Sequence, residues 1–325
     1  MLALQCLGAA APHAGSSSAL DAATPQLAPS PSPSPSPSPL ELCKQIWSKG
    51  VESLVPLADD PRPDIRGNQY LGKAPWPSLL FVHVGKTCGT TVGFTLRDNA
   101  GQIKLLNPPR PPYAEVHVHS VRPDVVEHAE HVLISLRDPV DRVVSAYNTF
   151  TCMRDPEHQN DPDICKRKVQ KPQDLSLKQQ SKRLRLIQCF PTVGEFADGL
   201  DDDTDCARLA RESLLFDFSF GHSAMGACFY TGGLLPQLQN KSVYVVETDD
   251  CDEDLRAVPS WLGLDTSFHI EQRHEGTFPH HDDTISASGR ARLRRHLEHE
   301  YAWVEQLRKL SWKRGGDGGH GGGPK

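Results

Sequence analysis

Three stretches of the chain are apolar almost without a break: 79–84 (LLFVHV), 131–136 (HVLISL) and 242–247 (SVYVVE). Runs this short, bounded by polar and turn-forming residues, read as strands buried on both faces, the pattern of a parallel sheet. A fourth, 114–120 (AEVHVHS), alternates and is read as a shorter strand. Between the strands, apolar positions recurring at steps of three and four predict helices over 91–99, 139–150, 194–200, 206–215 and 287–310, with a short one near 40–54. Leu293, Leu297, Tyr301, Val304 and Leu307 carry the last long helix. Strands alternating with helices define an α/β class, a central parallel sheet flanked by helices.

Both ends depart from this pattern. Of the 27 prolines, 13 fall in the first 77 residues, and a Pro-Ser repeat runs from Pro29 to Pro39. Such a run cannot bury apolar surface and stays extended. Residues 1–40 therefore read as a low-complexity leader and stem, 41–77 as a linker, 78–312 as the folded domain and 313–325 as a flexible, glycine-rich tail. The ends account for much of the modest 38% hydrophobic content of the 325 residues. A net charge of −6 speaks against nucleic acid as a partner, which needs a broad basic field. No apolar stretch is long enough for an ordinary transmembrane helix. The first eleven residues are apolar but lack a basic flank, so membrane association would rest on a weak or missing N-terminal anchor. Nine cysteines show no C-x-x-C spacing; Cys152 and Cys165, which bracket a polar stretch, are the first pair to test for a bridge, scattered buried thiols being the alternative.

Two segments carry chemistry. In Phe81-Val-His-Val-Gly-Lys-Thr-Cys-Gly-Thr-Thr91 a buried strand runs into a turn with two glycines and then into a helix. A helix N-terminus with free N–H groups binds an anion, and a lysine adds a point charge. The expectation is a P-loop-like phosphate-binding strand–loop–helix formed by Gly85, Lys86, Thr87, Cys88, Gly89, Thr90 and Thr91. The nucleotide-hydrolase loop G-x-x-x-x-G-K-[ST] fits only at its end, because Leu80 stands where its first glycine belongs.

The second segment is Ile134-Ser-Leu-Arg-Asp-Pro-Val-Asp-Arg-Val-Val-Ser-Ala-Tyr147. Asp138 is a good N-cap and Pro139 a good first helical residue, so a helix starts as the strand ends. Asp138, Arg142 and Ser145 share one helical face, with Arg137 at the carboxyl end of the strand. An arginine fork and a serine hydroxyl there suit a second phosphate.

Taken together, Lys-Thr-x-Gly-Thr-Thr followed by Arg-Asp-Pro-x-x-Arg-x-x-Ser-x-Tyr resembles the PAPS-dependent sulfotransferases (PAPS is 3′-phosphoadenosine 5′-phosphosulfate). Within them the chain is most similar to the Golgi carbohydrate enzymes that include heparan sulfate 2-O- and 6-O-sulfotransferases. The resemblance spans about residues 78–310, tight at the two segments and loose elsewhere; Gly85 and Cys88 depart from the commoner Pro-Lys-Thr-Gly. It implies that 86–91 would bind the 5′-phosphosulfate of PAPS, with Lys86 on the phosphate and bridging oxygen, and that Arg137 and Ser145 would bind the 3′-phosphate. It also implies a glycan acceptor and a Golgi location, for which the Pro-Ser stretch would be the stem.

The acceptor hydroxyl must lose its proton as it attacks sulfur, and histidine is the usual base. His117-Val-His119 lies between the two segments, as does a His-x-His element that supplies the base in the 2-O enzymes. His119 is therefore expected as the base and His117 as the second choice. A zinc pair is disfavoured, since no third ligand stands at the needed spacing, and no metal is expected. His83 is read as structural. Residues 161–190 hold eight Lys/Arg against three Asp/Glu, a solvated face or a groove for an anionic polysaccharide, to which Arg273 and His274 could add; His280 and His281 are weaker candidates. Asn240-Lys-Ser242 is a glycosylation sequon, meaningful on a secretory route. The rival readings are a P-loop kinase or nucleoside triphosphatase, and a catalytically silent glycan-binding relative.

Overall fold

The computed structural model describes residues 37–52, 77–106, 112–117, 119–151, 177–270 and 285–312. Strands β1 (Leu79–His83), β2 (Tyr113–Val116), β3 (His131–Leu136) and β4 (Ser242–Glu247) form one sheet in the order β2-β1-β3-β4, every pairing parallel. Every residue of β1 is buried, as expected of a parallel strand covered on both sides. Leu80, Val82, Val132, Ile134, Val243 and Val245 face one apolar layer; Leu79, Phe81, Leu133, Tyr244 and Val246 face the other.

The chain leaves β1 through α2 (Gly89–Asp98), whose Val92 and Leu96 pack on the second layer. After the short α3 (Ala100–Ile103) it forms β2, then returns through α4 (Pro123–His128), whose Val125 and Val126 pack on the first. The path thus reverses at β1, with β2 on one side and β3 on the other. Such a switch point opens a crevice at the carboxyl ends of the two strands, where ligands of open α/β sheets bind.

From β3 the chain enters α5 (Pro139–Thr151). Then come α6 (Leu177–Cys189), α7 (Val193–Asp198) and α8 (Asp205–Glu212). Thr192 and Glu195 form a reciprocal capping box at the start of α7, and Thr204 caps α8. A 3₁₀ segment, Phe218–Ser223, and the short helices α9 (Ala227–Thr231) and α10 (Leu235–Leu238) lead to β4. Helix α11 (Cys251–Trp261) opens on Asp252, Glu253 and Asp254, charges that suit a helix N-terminus.

Three expectations change. The helix expected over 287–310 is two, α12 (Ala287–His296) and α13 (Glu298–Leu310), broken at Leu297 (φ −104°, ψ 15°). The break lets one stripe serve two cores: Leu293 and Leu297 join the helical cluster around Tyr147 and Phe196, while Val304 and Leu307 join the sheet. The fourth strand stops at Val116, so His117 and His119 lie beyond its end. The short helix expected near 40–54 forms as α1 (Pro39–Glu52), and it packs on the folded body although the stretch from residue 41 is expected as linker. Cys43 and Ile46 of α1 are buried, and Trp47 donates to the Val121 carbonyl at 2.9 Å. A Cys43–Cys228 disulfide joins α1 to α9, and a Cys189–Cys206 disulfide joins the end of α6 to α8. Cys152 and Cys165 lie outside the described residues as a pair. Among the described residues no helix is long and apolar enough to cross a membrane.

Candidate functional site

The turn after β1 is shaped by close contacts. Lys86 has φ 66° and is the one non-glycine among the described residues with positive φ. Holding an L-residue there costs about 1–3 kcal/mol, a strain that gathers at binding sites. A β-carbon on Gly85 would fall 1.9 Å from His222 Nδ1, and one on Gly89 would fall 2.0 Å from His83 Cδ2, so both positions require glycine. Thr87 Oγ1 lies 2.7 Å from the Val84 carbonyl and 2.7 Å from Ser135 Oγ. It donates to the carbonyl and accepts from Ser135, which stitches the turn to β3; its hydroxyl is turned inward, not offered to a ligand.

Cys88 is the N-cap of α2 and supplies no side-chain bond to it. The first-turn N–H groups of Gly89, Thr90 and Thr91 therefore have no intrahelical acceptor and suit an anion. The Cys88 thiol faces Cys251, and this hydrogen bond together with burial pushes its pKa up. It stays a thiol, not a reactive thiolate.

The second segment divides its roles. Asp138 accepts from the N–H groups of Val140 (2.9 Å) and Asp141 (3.2 Å), as expected of the cap, and also from the Tyr301 hydroxyl at 2.8 Å. Arg142 does not share the exposed face. Its side chain is 2% exposed, and its guanidinium donates to the carbonyls of His222, Ser223 (3.4 Å) and Met225 (3.5 Å). Arg137 and Ser145 remain half-buried. Since His83 pairs with Ser135 across β1 and β3, the Lys86 turn and Arg137 leave neighbouring strand ends.

Behind the turn, three imidazoles stack: His83 on His117 at 4.0 Å between centroids, and His117 near His222 at 5.2 Å. His83 Nδ1 donates to Glu115 Oε1 at 2.6 Å, a buried pair between β1 and β2. His117 Nδ1 lies 3.0 Å from the His83 carbonyl. A carbonyl can only accept, so Nδ1 carries a hydrogen. His119 is half-buried just beyond.

Comparisons with family models, curated proteins and solved structures all find nothing similar, so the site rests on its own chemistry. Three of its members were not expected from sequence. His83, read as structural, meets His117 because β1 and β2 run parallel with Val82 opposite Val116, which puts the two histidines at the next position of each strand. Glu115 and His222 carry no local signal at all. His222 is brought in by Gly221 (φ 59°), where a β-carbon would press on Arg183 Nη2 at 2.9 Å.

Three residues of the basic stretch have partners within the chain. Lys182 pairs with Asp217, Arg183 Nε donates to the Ser219 carbonyl at 2.8 Å, and Arg185 lies 4.0 Å from Asp205. Residues 161–176, Arg273, His274, His280 and His281 lie outside the described residues. A shallow hollow beside β4, lined in part by Tyr244, Glu247, Arg308 and Trp312, holds none of the predicted site residues. Cys228, His299 and Glu300 crowd within 4.8 Å, yet Cys228 is in a disulfide and Glu300 accepts the Ala227 and Cys228 N–H groups, leaving one ligand.

Burial first, then the positive charge that His117 carries when protonated and the Lys86 ammonium, hold His222 well below its usual 6.5. Below that pH the unfolded chain binds a proton that the folded chain refuses. Stability is full above about pH 6.5 and falls as the medium is acidified. Urea midpoints measured between about pH 5 and 7 should fall toward acid, and His222→Asn should flatten that slope. Some slope remains, because burial also lowers His131 and His299.

Proposed function

We propose that this chain is a PAPS-dependent sulfotransferase that transfers a sulfuryl group to a hydroxyl of a glycan. One observation carries the reading: the neighbouring strands β2, β1 and β3 end side by side in His117, the Lys86 turn and Arg137. Adjacent strands lie about 4.8 Å apart, so a base, a phosphate cradle and a second phosphate ligand share one crevice.

The residues suit the donor. The glycine-tight turn, the uncapped start of α2 and Lys86 would hold the 5′-phosphosulfate, and Arg137 with Ser145 the 3′-phosphate. Of the two histidines, His117 has its Nδ1–H held by the His83 carbonyl, so Nε2 is the atom that would take the acceptor proton as the oxygen attacks sulfur in line with the departing phosphate. Lys86 and the N–H groups of α2 stabilise charge gathering on the leaving bisphosphate. Among the described carboxylates at this edge, Glu115 pairs with His83, Asp138 with Tyr301 and Glu247 with Arg308. Two disulfides agree with an oxidising compartment such as the Golgi lumen.

Thermal shift tests the donor. At a hundredfold excess over Kd a ligand adds about 2.7 kcal/mol, so adenosine 3′,5′-bisphosphate should raise Tm clearly while ATP with magnesium does not. Lys86→Ala should lose the shift. A rise with ATP–magnesium alone would overturn the reading, and labelled-sulfate transfer to a panel of polysaccharides, proteins and small alcohols identifies the acceptor.

A further inference from the structure

The chain has six asparagines, and only Asn240 stands in an Asn-x-Ser/Thr triplet, Asn240-Lys241-Ser242. Sulfuryl transfer makes no use of it. Asn240 is exposed, in the turn between α10 and β4. One hydrogen of its amide is donated to the Pro236 carbonyl at 3.0 Å; the amide has a second, so a substituent on nitrogen need not break that bond.

Position matters as much as exposure. Ser242 is the first residue of β4, so the triplet lies at the amino-terminal edge of the sheet. The Lys86 turn and Arg137 follow the carboxyl ends of strands running the same way. Six residues at about 3.3 Å each separate the two edges by roughly 20 Å. A bulky group on Asn240 therefore leaves the crevice open. The two disulfides point to an oxidising lumen, the environment in which secretory chains also meet the glycosylation machinery.

We propose that Asn240 is a site of N-linked glycosylation. The donor is a polyprenyl-diphosphate-linked oligosaccharide. A bond forms between Asn240 Nδ2 and the anomeric carbon, the bond from that carbon to the diphosphate oxygen breaks, polyprenyl diphosphate leaves, and the amide gives up one proton. The glycan marks passage through the secretory pathway whatever the crevice binds, so this assignment and the transferase activity stand or fall separately.

The full chain, expressed in eukaryotic cells behind a cleavable secretory leader, should run in lysate as a slow band that collapses to a faster one with peptide:N-glycosidase. Mass spectrometry of the tryptic peptide should show deamidation at position 240. Asn240→Gln should lose the slow band, and Ser242→Thr, which keeps the triplet, should retain it. Attachment precedes folding, so the readout survives a variant that folds poorly. An unshifted wild-type band in material whose disulfides have formed overturns the proposal, as does a glycosidase-sensitive band that persists in Asn240→Gln.

Discussion

His117→Ala should lower sulfuryl transfer by about 100- to 10,000-fold, the range for removing a positioned general base. The loss belongs in kcat, because the side chain acts on the acceptor proton and not on the donor phosphates. Binding of adenosine 3′,5′-bisphosphate should therefore survive, which separates this variant from Lys86→Ala. His117→Gln retains a hydrogen-bond donor toward the His83 carbonyl, 3.0 Å away in the wild type, but offers no comparable base, so it should be as slow as alanine. Single-turnover rates across pH check this: the wild type should lose rate toward acid as Nε2 takes a proton, and both variants should be flat. If His117→Ala retains full rate and His119→Ala does not, the base is His119.

The largest effect on stability is expected at Arg142. Its guanidinium reaches the carbonyls of His222, Ser223 and Met225 from α5, and Glu300 lies in its electrostatic neighbourhood. Arg142→Leu fills part of the space but leaves three carbonyls without their donor. Each buried acceptor left unsatisfied costs about 1–3 kcal/mol. Urea unfolding measures it, and a loss below about 1 kcal/mol would show the guanidinium to be dispensable. Arg142→Lys should fall between, since a compact ammonium cannot span carbonyls from three residues. Because the same contacts fix the segment bearing His222, which packs on Gly85, the leucine variant should also bind the bisphosphate more weakly.

What the sequence made legible was local. Continuous apolar runs marked β1, β3 and β4 because a parallel strand covered on both faces leaves no room for polar residues. Gly85, Gly89, Asp138 and Pro139 announced their turns and caps because those conformations are set within a few residues. What stayed hidden depends on contacts between distant parts of the chain. Arg142 shares a helical face with Ser145 in the sequence pattern, and only the 3₁₀ segment some eighty residues later draws it inward. His222 enters on that same segment. The break at Leu297 could not be read from an unbroken stripe, since its cause is the presence of two separate cores. The cysteine pairing was equally global, Cys43 meeting Cys228 across a separation of 185 residues.

That last bond has a consequence for handling the molecule. The helix at the amino-terminal border is secured to α9 through a side chain, not merely through the peptide chain that follows it. Proteolytic nicking between Glu52 and Ser78 would thus leave α1 tethered, and the two pieces would travel as one species until a reductant releases the smaller.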